Sequence, residues 1–421
     1  MSFDIALSGI QAINDQLNTI SNNIANAGTF GFKSSRANFA SMYAGSQPTG
    51  TQIGSVSQSI GLNGGVLNTG RSLDASINGR GFFVAKDATG QTTYTRVGIF
   101  NKDATDYLVD AAGRKVQGYS LTPPSTVLGP MGDIKVPTGL LPAKATTSID
   151  FVANLSADWT APTGTFNTPV AAVPPAAAVV PDPDSYNMSK VTLVHDSLGN
   201  EHTVTQYFVK DSADPLLVNI HIAVDGNDVT AGNPTPGPAF AIKFTSTGQL
   251  DTSVNTPANA PYIYNLGFPA TPAAAVAINI DYTGTTFQKG ESTTSTNRAD
   301  GYAAGSYIGV DLADDGSVIT KYSNGEKQTI GRVALATFPD EEALTAVNDT
   351  AWIANNNTGA PNYSEPGKGV AGSLSVTTLE QSNVDITSEL VSLMTSQRNY
   401  QANSKVITTE NQMLQSLMQA L

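Results

Sequence analysis

The sequence predicts an α+β protein that is mainly β, with discontinuous, nested β domains between N- and C-terminal α-helices that pair as a coiled-coil-like inner domain. Three observations lead to this fold class. Apolar residues recur at helical spacing only near the two ends, strand-like alternation fills the middle, and 38 glycines and 23 prolines break up the 421-residue chain. A chain of this length is enough for two to four domains.

The N-terminal segment is predicted to be a helix with one narrow apolar seam. Its apolar residues are spaced three or four apart, with a single slip after Ile10. Asn and Ser are frequent here and are mediocre helix formers, so we expect disorder in the free monomer and order on assembly. The predicted seam consists of Phe3, Leu7, Ile10, Ile13, Leu17, Ile20 and Ile24.

The C-terminal segment shows a more regular pattern, in which two series of residues each repeat every seven positions and alternate with each other by four and three. The first series is Ile386, Leu393, Tyr400, Ile407, Leu414 and Leu421. The second series is Leu390, Gln397, Ser404, Asn411 and Met418. We expect the two terminal helices to pair with each other and then with copies from other chains. The alternative, in which both pack on a globular core, stays open.

The middle of the chain is predicted to be a succession of β units. Strand–turn–strand patterns occur at 81–97, 107–119 and 190–209, and an Ala/Pro-rich stretch at 161–185 marks a boundary. Because both ends form helices that are expected to meet, each domain should consist of two distant pieces. The predicted domains are a helical inner-tube domain (1–30 and 380–421), a Gly-rich extended connector (31–70 and 366–379), an inner β domain (71–145 and 286–365) and an inserted outer β domain (146–285).

The sequence offers no catalytic or metal-binding constellation, so we expect no enzyme activity and no cofactor. With no cysteine, disulfides, zinc–thiolate sites, iron–sulfur clusters and thiol catalysis are excluded. The histidines His195, His202 and His221 fall in predicted strands, where a surface sheet position is favoured over a metal pair. The acidic stretch at 311–316 lacks the ligand pattern of a calcium loop.

Charge and hydropathy exclude two classes of partner. A formal net charge of −13 argues against binding nucleic acid through bulk electrostatics. No run reaches the ~18 apolar residues of a membrane span, so we expect no membrane insertion. The N-terminus lacks the basic and apolar regions of a cleaved secretory signal, so we expect the chain to stay inside the cell or to leave by another route.

Both ends carry motifs that resemble the bacterial flagellar rod and hook protein family. They are SNNIAN at 21–26, TFGFK at 29–33, EQSNVD at 380–385 and QRNYQAN at 397–403. Further similar stretches lie at 73–79, 94–100 and 107–113, so the resemblance covers roughly 1–145 and 290–421. The family motif residues carried over to this chain are Asn22, Asn23, Asn26, Gly31, Phe32, Asn383, Asp385, Gln397, Arg398, Asn399, Tyr400 and Asn403.

A chain of this length with an inserted β domain resembles the hook-type members of that family. The resemblance implies a structural subunit of the extracellular flagellum, exported by the flagellar type III system. Many copies would form a short, curved, flexible tube that works as a universal joint and transmits motor torque from rod to filament. The implied partners are other copies of the chain, the distal rod protein, the hook cap protein, the hook–filament junction proteins and the export apparatus.

Two alternative functions stay open at this stage. A distal rod-type subunit would share the terminal motifs, but the region 146–285 argues against it. A secreted adhesin would need an anchor or signal, which the sequence does not show.

Overall fold

The structure, a computed structural model, describes residues 2–44, 47–122, 127–172, 178–228, 240–251, 262–266, 273 and 276–420. It forms two compact units. The first unit comprises Met1–Thr138, Ile308–Lys321 and Lys327–Leu421, and the second comprises Gly139–Tyr307 and Tyr322–Glu326. The predicted fold class is confirmed, since the described chain is mostly β-strand with one α-helix at each end.

The elements of the described residues are numbered in chain order. The chain begins with α1 (Ser2–Ala25), β1 (Ser35–Ala44), β2 (Gln47–Gln58), β3 (Val66–Asn68), β4 (Ala75–Asn78), β5 (Phe82–Lys86), β6 (Thr92–Thr95), β7 (Phe100–Lys102), β8 (Leu108–Asp110), β9 (Lys115–Ser120) and β10 (Met131–Asp133). It continues with β11 (Ser148–Ser156), a 3₁₀ turn (Pro183–Ser185), β12 (Met188–His195), β13 (Glu201–Lys210), β14 (Leu217–Val224), β15 (Asn227–Asp228), β16 (Phe240–Lys243), β17 (Tyr262–Leu266), β18 (Val276–Asp281), β19 (Thr286–Gln288) and β20 (Thr293–Ala299). It ends with β21 (Tyr307–Leu312), β22 (Ser317–Tyr322), β23 (Lys327–Val333), β24 (Leu335–Thr337), β25 (Thr345–Val347), β26 (Ala351–Ile353), β27 (Asn362–Ser364), β28 (Ser373–Val376), β29 (Thr378–Glu380) and α2 (Ile386–Ala420).

The first unit is built on a sheet of thirteen strands whose main path runs β21-β22-β23-β9-β5-β6-β26-β25. Along this path three strands of the second half of the chain are followed by three of the first half and then by two more of the second half, so neither half forms the sheet alone. Its core contains Phe82, Tyr94, Phe338 and Trp352, whose rings meet edge to face at 4.8–6.2 Å. The predicted hairpins at 81–97 and 107–119 are confirmed as the pairs β5–β6 and β8–β9.

The segment predicted as an extended connector contains paired β-strands. Residues 35–58 form the long antiparallel hairpin β1–β2, which packs along α1. The C-terminal piece pairs through β28 with β4 and through β29 with β3. The extended connector predicted at 31–70 and 366–379 therefore consists largely of paired strands in the described residues. Its polar, Gly-rich sequence hides the strand signal, because these strands pair with distant partners and show no local alternation.

The second unit is a sandwich of two five-stranded sheets around one apolar core. One sheet runs β17-β18-β11-β19 with β20 beside β11, and the other runs β12-β13-β14-β15 with β16 beside β14. The predicted hairpin at 190–209 is confirmed as β12–β13. Side chains from both sheets fill the core, including Phe151, which stacks on Phe208 with ring centroids 5.2 Å apart.

This unit extends beyond the limits predicted for the outer β domain. Strands β19 and β20, which the sequence analysis assigns to the inner β domain, both pair with β11 and belong to the second unit. Pairing between strands about 130 to 150 residues apart leaves no signal in either strand alone. In the Ala/Pro-rich segment, of which 173–177 lie outside the described residues, Phe166 stacks on His221 of β14 at 4.0 Å.

Candidate functional site: the paired chain ends and their junction with the inner sheet

The two terminal helices pair in antiparallel fashion through small and polar residues. Gly9 of α1 lies against Asn403 of α2, since a Cβ atom on Gly9 would come within 2.8 Å of the Asn403 side-chain nitrogen. Asn23, fourteen residues further along α1, bonds Glu389, fourteen residues earlier on α2. One register therefore holds along the whole pair. The buried residues of α1 are Ala6, Gly9, Ala12, Ile13, Ile20 and Asn23.

The face of α1 that meets α2 coincides only in part with the predicted apolar seam. Ile20 is buried, but Leu7 is 40% exposed and Phe3 is equally open to solvent. Because Ala6, Gly9 and Ala12 allow the backbones to approach closely, they take the inner face and turn the large residues outward. The remaining seam residues Ile10, Leu17 and Ile24 are partly buried.

On α2 both predicted series are only partly covered within one chain. Leu393 and Ile407 of the first series are partly buried. Ile386, Tyr400 and Leu414 are more exposed, and Leu421 lies outside the described residues. The polar residues Glu389, Ser396 and Asn403, rather than the second series, complete the contact with α1. The second series, Leu390, Gln397, Ser404, Asn411 and Met418, is exposed in one chain except for Ser404, which is partly buried.

Helix α2 extends well past the start of α1. The common register places Ser2 level with Glu410, so residues 411–420 have no α1 residue beside them. We call residues 411–420 the overhang. Every side chain from 411 to 419 is exposed, and the large apolar members of the overhang, Met413, Leu414, Leu417 and Met418, are 56–72% exposed.

Asn23 connects three elements at the end of α1. Its Nδ2 atom donates to Glu389 Oε1 of α2 at 2.8 Å and to the Ser35 carbonyl of β1 at 2.8 Å. Its Oδ1 atom accepts from the Ser35 amide at 2.9 Å. A side chain with both a donor and an acceptor is needed for this arrangement, and the amide of Asn supplies both at a 1%-exposed position.

Asn383 makes the corresponding connection just before α2. Its Oδ1 atom accepts from the Ser34 amide at 2.7 Å, and its Nδ2 atom donates to the carbonyls of Ser59 and Leu62. Asp385 then caps α2 by accepting from the Ser388 hydroxyl at 2.7 Å and the Thr387 amide at 3.0 Å. The Ser388 hydrogen bond, followed by the amide bonds, lowers the pKa of Asp385 below its usual value.

A buried ion cluster joins the chain ends to the inner sheet. Glu380 of β29 accepts from Lys33 Nζ at 2.7 Å, from the Gly64 amide at 3.0 Å and from Arg96 Nη1 at 3.5 Å. Lys33, Arg96 and Glu380 are each at most 2% exposed. Burial lowers the pKa of Lys33 and of Arg96, while the Glu380 carboxylate opposes that shift. We call these three residues the Glu380 cluster.

Gly31 lies close to the backbone of Arg96 and Val97. Its φ of +67° is in the left-handed region, and a Cβ atom there would lie 3.1 Å from the Val97 nitrogen and 3.2 Å from the Arg96 carbonyl carbon. Its amide donates to the Glu380 carbonyl at 2.8 Å. Phe32, next in the chain, is partly buried, and its carbonyl accepts from the Asn383 amide. Only glycine meets both the conformational and the steric requirement.

Further motif residues form hydrogen bonds at the C-terminal end of α1. Asn26 donates to the Asn22 side chain and to its carbonyl, each at 3.0 Å. The Thr29 hydroxyl in turn donates to Asn26 Oδ1 at 3.1 Å. These hydrogen bonds give partners to groups that would otherwise be unpaired at the last turn of the helix.

Four family models match this chain, and together they span the elements just described. They are "Flagella basal body rod protein" (3–33), "Flagellar hook protein FlgE/F/G D1 domain" (76–153), "Flagellar basal body protein FlaE D2 domain" (162–302) and "Flagellar basal body rod FlgEFG protein C-terminal" (377–420). The flagellar hook protein FlgE of Salmonella typhimurium is 34% identical over 423 residues, covering 99% of each chain. The chain belongs to the flagellar hook protein family.

Other relatives agree with this membership. The FlgE hook protein of Escherichia coli is 33% identical with 99% of each chain covered, and that of Borreliella burgdorferi is 28% identical with 98% and 97% covered. The crystal structure of Helicobacter pylori FlgE2 matches 73% of this chain and 98% of its own with a TM-score of 0.50 and 11% identity, which shows the fold. The expectation of a structural subunit in the extracellular flagellar hook is confirmed, and the rod-type and adhesin alternatives are set aside.

The hook family motifs differ in where the structure places them. Asn23, Gly31, Asn383 and Asp385 meet at the junction, whereas the motif 397–403 contributes only Asn403 to the contact with α1. Gln397, Arg398, Asn399 and Tyr400 face solvent. The Glu380 cluster was missed by sequence reasoning. Lys33 and Glu380 lie inside the family motifs, but nothing local indicates that residues 347 apart form an ion pair.

The next observations concern metal ligands, histidines and membrane-spanning helices among the described residues. Among them, no group of three His, Cys, Asp or Glu side chains is arranged to hold a metal ion. His202 bonds Asp225 at 2.6 Å in the second unit, and His195 lies on the paired strand opposite Glu201. Across the described part of the chain, no helix is both long and apolar enough to cross a membrane.

Proposed function

We propose that this hook subunit polymerises through its terminal helices into a short, curved tube. The observation that carries the proposal is that the helix pair leaves its large apolar residues exposed. Phe3 and Leu7 face solvent on α1, and Leu414, Leu417 and Met418 do so on the overhang. Contiguous exposed apolar surface on a long helix is a feature of association surfaces. The predicted packing residues that are exposed in one chain would then contact other copies.

The pairing inside one chain supports this division of roles. Small residues such as Ala6 and Gly9 form the contact with α2. The large seam residues are therefore available for a contact with another copy. The side chains of the overhang at 411–419 are all exposed, so a neighbouring copy would be needed to cover them. Order in both helices then depends on assembly, because helices of this composition are marginal alone.

The remaining parts of the proposed function follow from the family. The subunit is exported by the flagellar type III apparatus, adds beneath the hook cap protein, and joins the distal rod protein at one end and the hook–filament junction proteins at the other. The tube works as a universal joint that transmits torque. The two compact units support this role, because bending requires parts of each subunit that keep their own fold while contacts between copies exchange.

The helix contacts are tested by seeded polymerisation of the purified chain. Short fragments of native hook serve as seeds, and elongation is followed by electron microscopy and sedimentation. The double variant Leu414→Asp/Leu417→Asp should raise the concentration needed for elongation at least tenfold, because two charges would enter an apolar contact. The matched control Gln412→Asp/Gln415→Asp adds the same charge at exposed polar positions of the overhang and should elongate almost normally.

Two results would contradict the proposal. Elongation of Leu414→Asp/Leu417→Asp at the wild-type concentration would show that the overhang makes no contact between copies. In cells, a strain without this chain should have finished rods but neither hook nor filament in electron micrographs of its envelopes. Intact hooks in that strain would overturn the assignment as the hook subunit.

A further inference from the structure

In the second unit, a stretch of chain lies over part of the sheet that contains β13 and β14. We call residues 161–168 the covering segment. The ring of its Phe166 lies nearly parallel to the ring of His221 on β14, with centroids 4.0 Å apart and an angle of 19° between the planes. The same phenyl ring meets Tyr207 of β13 edge to face at 5.5 Å. Because Tyr207 lies directly opposite His221 in the register of these strands, one aromatic side chain covers both.

Hydrogen bonds hold the chain on either side of the covering segment. Before it, the Thr160 carbonyl accepts from Asn187 Nδ2 at 2.8 Å. After it, the Pro169 carbonyl accepts from the Asp228 amide of β15 at 2.8 Å. Between these points Phe166 packs on β13 and β14. Loss of the ring stacking would therefore release the middle of the segment while both ends stay attached.

The surroundings of His221 favour its neutral form. Its strand neighbours Ile220 and Ile222 point into the core, so the imidazole lies on the opposite face of the sheet, where it is partly buried beneath Phe166. Burial lowers the pKa of His221 from its usual value, and the Asp228 carboxylate opposes that shift without reversing it.

The charged and titratable side chains near His221 come from the neighbouring strands. Asp228 faces it from β15, and Tyr207, whose own pKa is raised by burial, faces it from β13. Lys243, the cation of β16, lies four positions away in the register of β14 and bonds Asp214. The covering segment itself contains no charged residue. Proton binding by His221 is therefore governed mainly by how well its ring is covered.

We propose that the covering segment responds to the external pH: it lies on the sheet while His221 is neutral and leaves the sheet when His221 is protonated. An imidazolium needs hydration, which a phenyl ring lying over it prevents, so protonation and covering oppose each other. Since the hook lies outside the cell, the subunit meets the pH of its surroundings. Protonation then exposes the aromatic surface at Tyr207. This inference goes beyond the proposed function and does not depend on polymerisation.

The direction of the response follows from the linkage between proton binding and conformation. A histidine whose pKa is lower in the covered than in the uncovered state binds its proton more weakly when covered, so acid favours the uncovered state. The covered state is fully favoured above about pH 6.5 and is weakened as the pH falls toward the lowered pKa. Below that pKa both states bind the proton, and the response ends.

NMR of the histidine ring protons follows this group directly, because the chain has only three histidines. The signal of His221, identified by its absence in His221→Gln, should titrate below pH 6.5 in the wild-type chain. In Phe166→Ala it should titrate closer to pH 6.5, because the imidazole is no longer covered. Identical titration curves in the two chains would show that Phe166 does not control proton binding by His221, and the inference would be wrong.

A nitroxide label measures release of the segment, since the chain has no cysteine of its own. With the label at Asn167→Cys, beside Phe166, the mobile fraction should rise about two- to fivefold between about pH 7.5 and pH 5. His221→Phe keeps an aromatic stack but binds no proton, so its label should stay immobile at both pH values. The matched control His195→Gln removes a histidine that lies beside Glu201 instead and should respond as the wild type does.

Three results of the labelling experiment would overturn the inference. They are equal mobility at both pH values, an equal rise in His221→Phe, and a fall in acid, which would mean that attraction between the imidazolium and the Phe166 ring prevails. A second label at Ser246→Cys, in the turn after β16, reports acid unfolding of the unit itself. The comparison is made over the pH range in which the mobility of this second label is constant.

Discussion

In the second unit, the apolar side chains between the two sheets are covered by their own chain, whereas in the terminal helices most large apolar side chains meet solvent. Phe151 and Phe208 have no exposed surface, while Leu417 and Met418 of the overhang have 60% and 72%. Burial of apolar surface is the main favourable contribution to folding. The second unit therefore buries its apolar surface within one copy, whereas under the proposed function the helices would bury theirs against other copies.

The junction between the helices and the inner sheet is stabilised differently from both. It relies on the Glu380 cluster and on the amides of Asn23 and Asn383 rather than on apolar area. A buried ionic group contributes little net stability compared with apolar residues, but removing one partner is costly. We infer that the junction fixes where the helices leave the sheet, which a tube of identical subunits requires.

The largest contrast is expected between Phe151→Ala and Leu7→Ala. The first removes a ring that contacts Phe208 and Tyr282, and it should lower the unfolding free energy of the second unit by about 3–5 kcal/mol. The second removes a side chain that is exposed in the monomer, so it should change monomer stability by less than about 0.5 kcal/mol and still impair polymerisation.

The two tryptophans of the chain separate these effects. Trp159 lies in the second unit and Trp352 in the core of the first, so denaturant curves in the Trp352→Phe and Trp159→Phe backgrounds report one unit each. Equal losses of stability for Phe151→Ala and Leu7→Ala would show that the monomer buries the helix face elsewhere. The contrast between the two regions would then not hold.

A smaller loss is expected when the Glu380 cluster is broken. Glu380→Gln leaves Lys33 and Arg96 buried without a carboxylate and should destabilise the first unit by about 3 kcal/mol, measured through Trp352. The second unit should be unchanged. As a control, Glu365→Gln breaks the partly exposed pair with Arg332 and should cost less than about 1 kcal/mol. Similar values for both variants would mean that the cluster is not effectively buried.

The sequence predicts the elements of this fold better than their pairing. Periodicity of seven identifies α2, and turn chemistry identifies the hairpin β12–β13, because these signals lie within one segment. The hairpin β1–β2 was missed, since its strands are polar and packed against α1 rather than alternating across a core. The partners β19 and β20 of β11 lie about 130 to 150 residues away and leave no local trace.

The candidate site was predicted in the same uneven way. Motif residues such as Gly31 and Asn383 were identified, yet their physical roles depend on groups from distant segments. The heptad pattern of α2 gives the helix but not the side that faces α1. Gly9 and Ala12 decide that side through their small volume, which hydrophobic periodicity does not register.

The smallest loss of unfolding free energy is expected on substitution of Asp300, a hydrogen-bonded carboxylate at the edge of the second unit. Burial raises the pKa of its carboxyl, but hydrogen bonds from the Ser148 amide, Lys144 and Thr147 outweigh it and bring the pKa to about 2. Because the folded pKa lies below the unfolded value of about 3.9, its stabilisation is fully present above that pH and is lost as the pH falls toward 2. Asp300→Asn should therefore lower stability by about 1–2 kcal/mol at pH 7.

The pH dependence distinguishes this hydrogen-bonded carboxylate from a general effect of charge. The difference in unfolding free energy between wild type and Asp300→Asn, followed through Trp159, should narrow between pH 4 and pH 2 and vanish below it. The control Asp150→Asn removes an exposed carboxylate paired with Arg298 and should stay within about 0.5 kcal/mol of wild type at pH 7. A difference for Asp300→Asn that persists unchanged at pH 2 would mean that packing, rather than the charged carboxylate, stabilises this edge. The second unit would then depend on apolar and steric contacts even at its surface, which would make its contrast with the terminal helices sharper still.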